Sequence, residues 1–290
     1  MNFNSLEEVQ NRFADFQKIF ESGDKEKAAG MLEELLDALE ENTSVRRAGK
    51  VYKDGRIDMT EDDGRDVYIS LNHVMEYYIY AFYYKPDVDV KCTELPYGAY
   101  YRTYGDLCLQ LGKYHAAEKA FSKAIAWNSV DLDSILGLAE SYKYTNKLQR
   151  YLDTTKAAYR YCCTRATMAR YYRNMGYYYL NKYETDMARA CYIYSNIYFQ
   201  TENADQELAY LKEALKDETP EFTIQQIQQM FTEKGVEPGP DSDTIGVVYR
   251  VGELMMDDGE MKLAKDCFSI VYDITQEEKL GTLLDTMADL

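Results

Sequence analysis

The stretch AYYRTYGDLCLQLGKYHAAEKAFSKAIAWNS, residues 99–129, decides the fold. Anchored on Gly105, it places Tyr101 and Tyr104 ahead of the glycine, Gly112 seven residues after it, Ala117 twelve, Phe121 sixteen and Ala124 nineteen after. The same frame set on Gly252 gives Gly259, Ala264, Phe268 and Val271 at those four offsets, with Val248 and Val251 ahead. Self-similarity at fixed spacing is the mark of a repeat architecture, in which each unit buries its apolar face on its neighbours.

Two weaker copies lie between. Ala139, 34 residues after Gly105, stands with Leu138, Tyr142, Tyr151 and Ala158, and Gly176, 37 further on, stands with Tyr172, Met175, Tyr179, Ala188 and Tyr192. At these places the sequence resembles the tetratricopeptide repeat, as in a bacterial-type member of that family. That repeat is a helix-turn-helix of about 34 residues in which small residues let two antiparallel helices approach and large ones fill between layers. Gly105, Ala117 and Ala124 take the small roles, Tyr101 and Phe121 the large. Tyr151 replaces the usual small residue in the second copy, and the proline that commonly ends a repeat is absent. The resemblance implies an all-α fold, a tetratricopeptide-type α-solenoid: a right-handed superhelix of antiparallel helix pairs running as one domain over 1–290.

The remaining chain fits around that frame. Residues 1–42 read as an N-terminal helical hairpin, with Phe13, Phe16, Ile19 and Phe20 on one stripe, a Gly23-Asp24 turn, and Ala28, Leu32, Leu35 and Leu39 on the next. Residues 43–65 form a loop insertion, and Asp54-Gly55 between short alternating segments predicts a small β-hairpin over 48–59. A helix is expected from Asp66 to Tyr84, and the repeat-like region runs over 66–232. Its degenerate end holds helices near Ala204–Lys216 and Pro220–Thr232, the latter started by Thr219-Pro220-Glu221. The coil Glu233–Thr244, with Gly235, Pro238, Gly239 and Pro240, is the clearest break. A C-terminal repeat with its capping helix fills 245–290.

Composition narrows the function classes. With 290 residues, 46% apolar or aromatic and five prolines, the chain has material for a sizeable core. Met1–Gln10 lacks the basic start and apolar core of a leader, and the aromatic run Tyr77–Tyr84 is far shorter than the roughly 20 apolar residues of a membrane span. The expected location is therefore cytoplasmic, with six reduced cysteines, none in a two-spaced pair. The net charge of -17 repels nucleic acid but is uneven: Ser141–Arg189 carries +7, Thr201–Leu290 -14.

Nothing in the sequence resembles an active site. The two histidines, His73 and His115, stand apart, and one histidine beside one carboxylate (Glu76) makes no metal site. The acidic run Asp58–Gly64 fails the calcium-loop spacing, because its glycine arrives at the seventh place and no glutamate follows at the required offset. No glycine-rich phosphate loop, Gly-x-Ser-x-Gly elbow or His-Glu-x-x-His motif occurs. No catalytic residue, metal or cofactor is expected, and a non-catalytic binding protein is.

The resemblance also assigns a groove. In the family, the first helix of each repeat lines the concave face with residues three before and one, four and five after the glycine position. Those positions are Arg102, Asp106, Leu109 and Gln110 in the copy on Gly105, and Leu136, Glu140, Lys143 and Tyr144 in the next. In the copy on Gly176 they are Arg173, Tyr177, Leu180 and Asn181, with Arg170 one turn earlier and Asn174 adjacent; Tyr249, Glu253 and Met256 complete the set. Family members that take acidic peptide tails clamp carboxylates with Lys, Arg and Asn, and Arg102, Arg170, Arg173 and Asn174 supply such groups. Asp106, where a neutral or basic clamp residue is expected, argues against the chaperone-tail version. The implied partner is a protein or peptide with an acidic or C-terminal segment. The alternatives are a regulatory sensor, a self-assembly module in which Gln276–Leu290 packs on a second copy, and arginines that merely pair with Asp106, Glu140 or Glu184.

Overall fold

The computed structural model describes residues 6–54, 56–61, 63–215 and 222–287. Among them are fourteen α-helices and five short strands, and many neighbouring helices pack on each other. The chain divides into two compact units, Met1–Thr154 and Thr155–Leu290.

In the first unit, α1 (Leu6–Glu21) and α2 (Lys25–Glu41) form the expected hairpin. Gly23 sits at φ 90° in its turn, a conformation open to glycine, and Asp24 caps α2 by accepting from the Lys27 N–H. The α1 stripe meets α4 (Tyr97–Gln110), where the Phe13 ring stacks 4.2 Å from Tyr100. Helices α5 (Tyr114–Trp127), α6 (Leu132–Tyr144) and α7 (Leu148–Tyr159) follow, and the unit boundary falls inside α7. Phe121 on α5 is fully buried between two glycines: a Cβ on Gly105 of α4 would lie 2.8 Å from its ring, and one on Gly137 of α6 would lie 2.4 Å away.

The insertion adds short strands to the helical frame. The hairpin predicted near 48–59 is present as β2 (Lys50–Val51) against β3 (Ile57–Asp58), with Lys50 opposite Asp58 and Val51 opposite Ile57; Gly55 lies outside the described residues. A second sheet joins β1 (Arg46–Arg47), β4 (Val67–Ile69) and β5 (Val90–Cys92) in parallel, in the order β1-β4-β5. The helix expected over Asp66–Tyr84 therefore begins only at Val74, as α3 (Val74–Tyr84). Val67 and Ile69 point into the core with Tyr68 between them, the two-residue period of a strand. The buried Glu76 then fixes the helix start by accepting from the Asn72 backbone N–H (2.7 Å) and side chain (2.9 Å), and it also takes the Asn128 amide at 2.7 Å. Backbone bonds from Ser70 N–H to Trp127 C=O and from Gly49 N–H to Ala126 C=O tie the insertion to the end of α5.

The second unit contains α8 (Arg165–Asn181), α9 (Thr185–Tyr198), α10 (Glu202–Leu215), α11 (Ile224–Lys234), α12 (Ser242–Asp257), α13 (Met261–Thr275) and α14 (Glu278–Thr286). The small-to-large contact of the first unit returns at the same spacing: Gly176 faces the Tyr192 ring at 3.0 Å and Gly252 the Phe268 ring at 2.7 Å, measured from a built Cβ. The Thr219-Pro220-Glu221 start expected for the eleventh helix lies outside the described residues, and a Thr223–Gln226 capping box opens α11. The loop before α12 is pinned by tyrosine hydroxyls: Tyr172 donates to Glu237 C=O (2.8 Å), Tyr194 to Pro238 C=O (2.5 Å) and Tyr159 to Gly239 C=O (2.9 Å). Helix α14 folds back onto α13, burying Leu280 and setting Gly281 against the Tyr272 ring. No helix among the described residues is long and apolar enough to cross a membrane.

Candidate functional site

Helix α8 positions the largest group of predicted site residues. Its start is fixed twice: Thr164 and Thr167 form a capping box, and the Asp273 carboxylate accepts the Arg165 backbone N–H at 2.7 Å. One face is then buried through Met168, Ala169, Tyr172, Met175, Gly176 and Tyr179. Helical periodicity gathers Arg170, Arg173, Asn174, Tyr177 and Asn181 into one stripe on the opposite side, since residues three and four apart lie above one another.

The electrostatics of that stripe set it apart. Arg173 is half-buried, and its Nη1 is buried with no hydrogen-bond acceptor. Burial, and then the like charge of Arg170 one turn away, hold its pKa below the ordinary arginine value. A guanidinium still keeps its proton at neutral pH, so the helix carries two cations that repel each other. Among the described residues neither has a carboxylate within ion-pair reach. Asn174 is half-buried beside them, while the exposed Asn181 spends one amide hydrogen on Tyr177 C=O at 2.8 Å.

The other predicted residues are not gathered in this way. Arg102, expected as a clamp residue, is held inside the first unit: its Nη1 donates to Asp131 at 2.8 Å and lies 3.9 Å from Asp133. Asp131 is 4% exposed at its side chain and also accepts the Ser134 hydroxyl at 2.5 Å. Burial pushes its carboxyl pKa up, against the pull of Arg102 and Ser134. Arg102 therefore anchors α4 to the start of α6, a tie between charges that sequence reading did not pair. Lys143 lies 3.4 Å from Glu140, and Asp106 and Gln110 are exposed on α4. Tyr249 stands on α12 with its ring 5.7 Å from Phe268.

The cysteines are spread over both units, and the two histidines lie in the first. All six cysteines are free thiols; burial raises the pKa of Cys162 and Cys191 strongly and takes Cys163 and Cys267 to about 11, so at neutral pH they are protonated and poor nucleophiles. His73 lies 3.7 Å from Glu76 and His115 3.9 Å from Glu118, and no group of three or more metal-ligating side chains occurs among the described residues. Sequence reading missed the gathering of Arg46, Arg47 and Arg65 in the first unit, which depends on strand pairing and has no local period. The chain matches no protein-family model, and no curated protein matches it.

Proposed function

We propose that this chain is a non-catalytic helical-repeat protein of tetratricopeptide type, cytoplasmic and without a cofactor, whose α8 face binds an acidic peptide segment. The carrying observation is the Arg170–Arg173 pair, two cations one turn apart with no described carboxylate and one buried, unpaired Nη1. Leaving such a donor desolvated costs on the order of 1–3 kcal/mol, which an incoming carboxylate recovers by accepting from it. The planar guanidinium fork matches a carboxylate in two parallel bonds. Asn174 and Tyr177 stand on the same stripe to receive the peptide backbone.

The repeat reading is supported by the glycine-to-aromatic contact at a sixteen-residue offset in Gly105–Phe121, Gly176–Tyr192 and Gly252–Phe268. The self-assembly alternative draws less support, since α14 already buries Leu280 within its own chain and Met287 just beyond it is buried too. The test is fluorescence anisotropy with a dye-labelled peptide of Glu-Ala repeats ending in a free carboxylate. Wild type is expected to bind it with an affinity that falls as salt rises, and Arg170→Glu with Arg173→Glu to abolish binding while the circular dichroism melt is retained. Equal binding by both proteins would place the site elsewhere.

A further inference from the structure

We propose that the first unit carries a second, independent site: a pocket for a phosphate group, where the β insertion meets α5. A cleft of about 420 Å³ opens there, lined by Arg46, Arg47, Lys50, Arg65 and Lys123 against the two carboxylates of Glu61 and Asp63. Its size falls in the range of about 300–1,000 Å³ typical of small-molecule sites. The cations come from four places in the chain, β1, β2, the loop before β4 and α5, so they approach one point from several directions. That arrangement suits a tetrahedral dianion better than a single planar carboxylate.

The floor is rigid. Arg46 is buried, and its Nη1 donates to Arg65 C=O and its Nη2 to Thr60 C=O at 3.2 Å each. Arg47 is clamped flat, with its guanidinium 4.8 Å above the Trp127 ring and Nη2 2.6 Å from Glu40. Its Nε is buried and unpaired, as are the neighbouring Trp127 Nε1 and Ser129 Oγ. Ser129 lies directly behind Gly49, where a Cβ would come within 2.6 Å of it.

The lysines of the rim, by contrast, are held by partners that exchange easily. Lys50 pairs with Glu61, whose side chain is 82% exposed, and Lys123 reaches Glu40 only at 3.9 Å, whereas Arg65 is gripped by Asp63 through both Nε (2.8 Å) and Nη2 (2.6 Å). Surface pairs of this kind contribute little, whereas hydrogen bonds to a phosphate dianion are charge-assisted on both sides. A phosphate entering the cleft therefore replaces weak contacts with stronger ones. Lys50 and Lys123 supply the point charges that meet the phosphate, and the arginines behind them add to the positive field.

Isothermal titration with inorganic phosphate and, separately, with adenosine monophosphate tests this. Saturable one-site binding of either probe is expected. Tighter binding of the nucleotide would make a phosphorylated small molecule the ligand, and equal or tighter binding of inorganic phosphate the free anion. Lys50→Ala with Lys123→Ala should weaken that binding by about tenfold or more, the loss expected when two charge-assisted contacts go. The melting temperature should stay unchanged, since both side chains are on the rim. Arg170→Glu with Arg173→Glu should leave it untouched, which separates this site from the peptide face. Failure of both probes to bind, binding unaffected by the lysine pair, or loss in the α8 variant would each overturn the proposal.

Discussion

Replacing Gly137 by alanine sets two effects of opposite sign against each other. Alanine inside α6 gains about 1 kcal/mol of helix propensity over glycine. Its Cβ, however, would stand 2.4 Å from Cε1 and Cζ of Phe121, whereas carbon atoms settle at about 3.5–4.0 Å, so more than an ångström of room is missing. The ring has nowhere to go, because the Gly105 Cβ position lies 2.8 Å from Cζ of the same ring. Overpacking of a close-packed core costs about 1–3 kcal/mol, and a ring pinned from two sides belongs at the upper end. The net expectation for Gly137→Ala is a loss of about 2 kcal/mol after the propensity gain. Phe121→Leu alone should cost about 1–2 kcal/mol, well short of the ~3–5 for Phe→Ala. The double variant should be little worse than Phe121→Leu, giving a coupling energy near 2 kcal/mol. Urea unfolding followed by Trp127 fluorescence measures this: it is the single tryptophan, buried on α5 six residues beyond Phe121. A Gly137→Ala protein more stable than wild type, or strictly additive variants, would refute the packing argument.

Three further outcomes follow from the same structure. Arg102→Ala should lower stability by about 3 kcal/mol by stranding the buried Asp131 charge, and Asp131→Asn with Arg102→Met should recover much of it; a melting curve unchanged by Arg102→Ala would contradict the pairing. Burial raises the pKa of Tyr80, Tyr101, Tyr171, Tyr172 and Tyr192, with neighbouring charge adding to it. The folded state then holds those phenolic protons after the unfolded chain has released them. Stability should therefore fall as pH rises above about 10, the ordinary tyrosine value. Absorbance at the phenolate band should show part of the tyrosines ionising only together with loss of helix, and full ionisation with helix intact would count against their burial. Tyr172→Phe with Tyr194→Phe removes two hydroxyls from the Glu237–Gly239 loop, each contributing about 1 kcal/mol. Faster proteolytic cleavage there is expected, with an unchanged pattern counting against the pinning.

What the sequence made legible was whatever a local period encodes. The Gly105–Phe121, Gly176–Tyr192 and Gly252–Phe268 contacts join adjacent helices of one hairpin, so a fixed offset exposes them. The α8 stripe could be read because 3.6-residue periodicity alone puts Arg170, Arg173, Asn174, Tyr177 and Asn181 on one face. The parallel sheet could not: its strands are two or three residues long, and Val67 pairs with Arg46 on one side and Val90 on the other. The aromatic richness of Asp66–Tyr84 hides the break at Ser70–His73, so the stretch reads as one helix. The pairing of Arg102 is not legible locally, because its partner, Asp131, sits 29 residues away at the start of another helix. The basic cleft depends on the same long-range strand pairing, and its arginines look like scattered surface charge until the insertion closes on α5.

The central claim, that the α8 arginines receive carboxylates, is tested most directly by a charge swap. Arg170→Glu with Arg173→Glu is titrated by anisotropy against the Glu-Ala probe peptide and against its Lys-Ala counterpart, alongside wild type. The account predicts that wild type binds the acidic peptide and rejects the basic one, and that the variant reverses the preference. A wild type that binds neither peptide, or a variant that still prefers the acidic one, would contradict it.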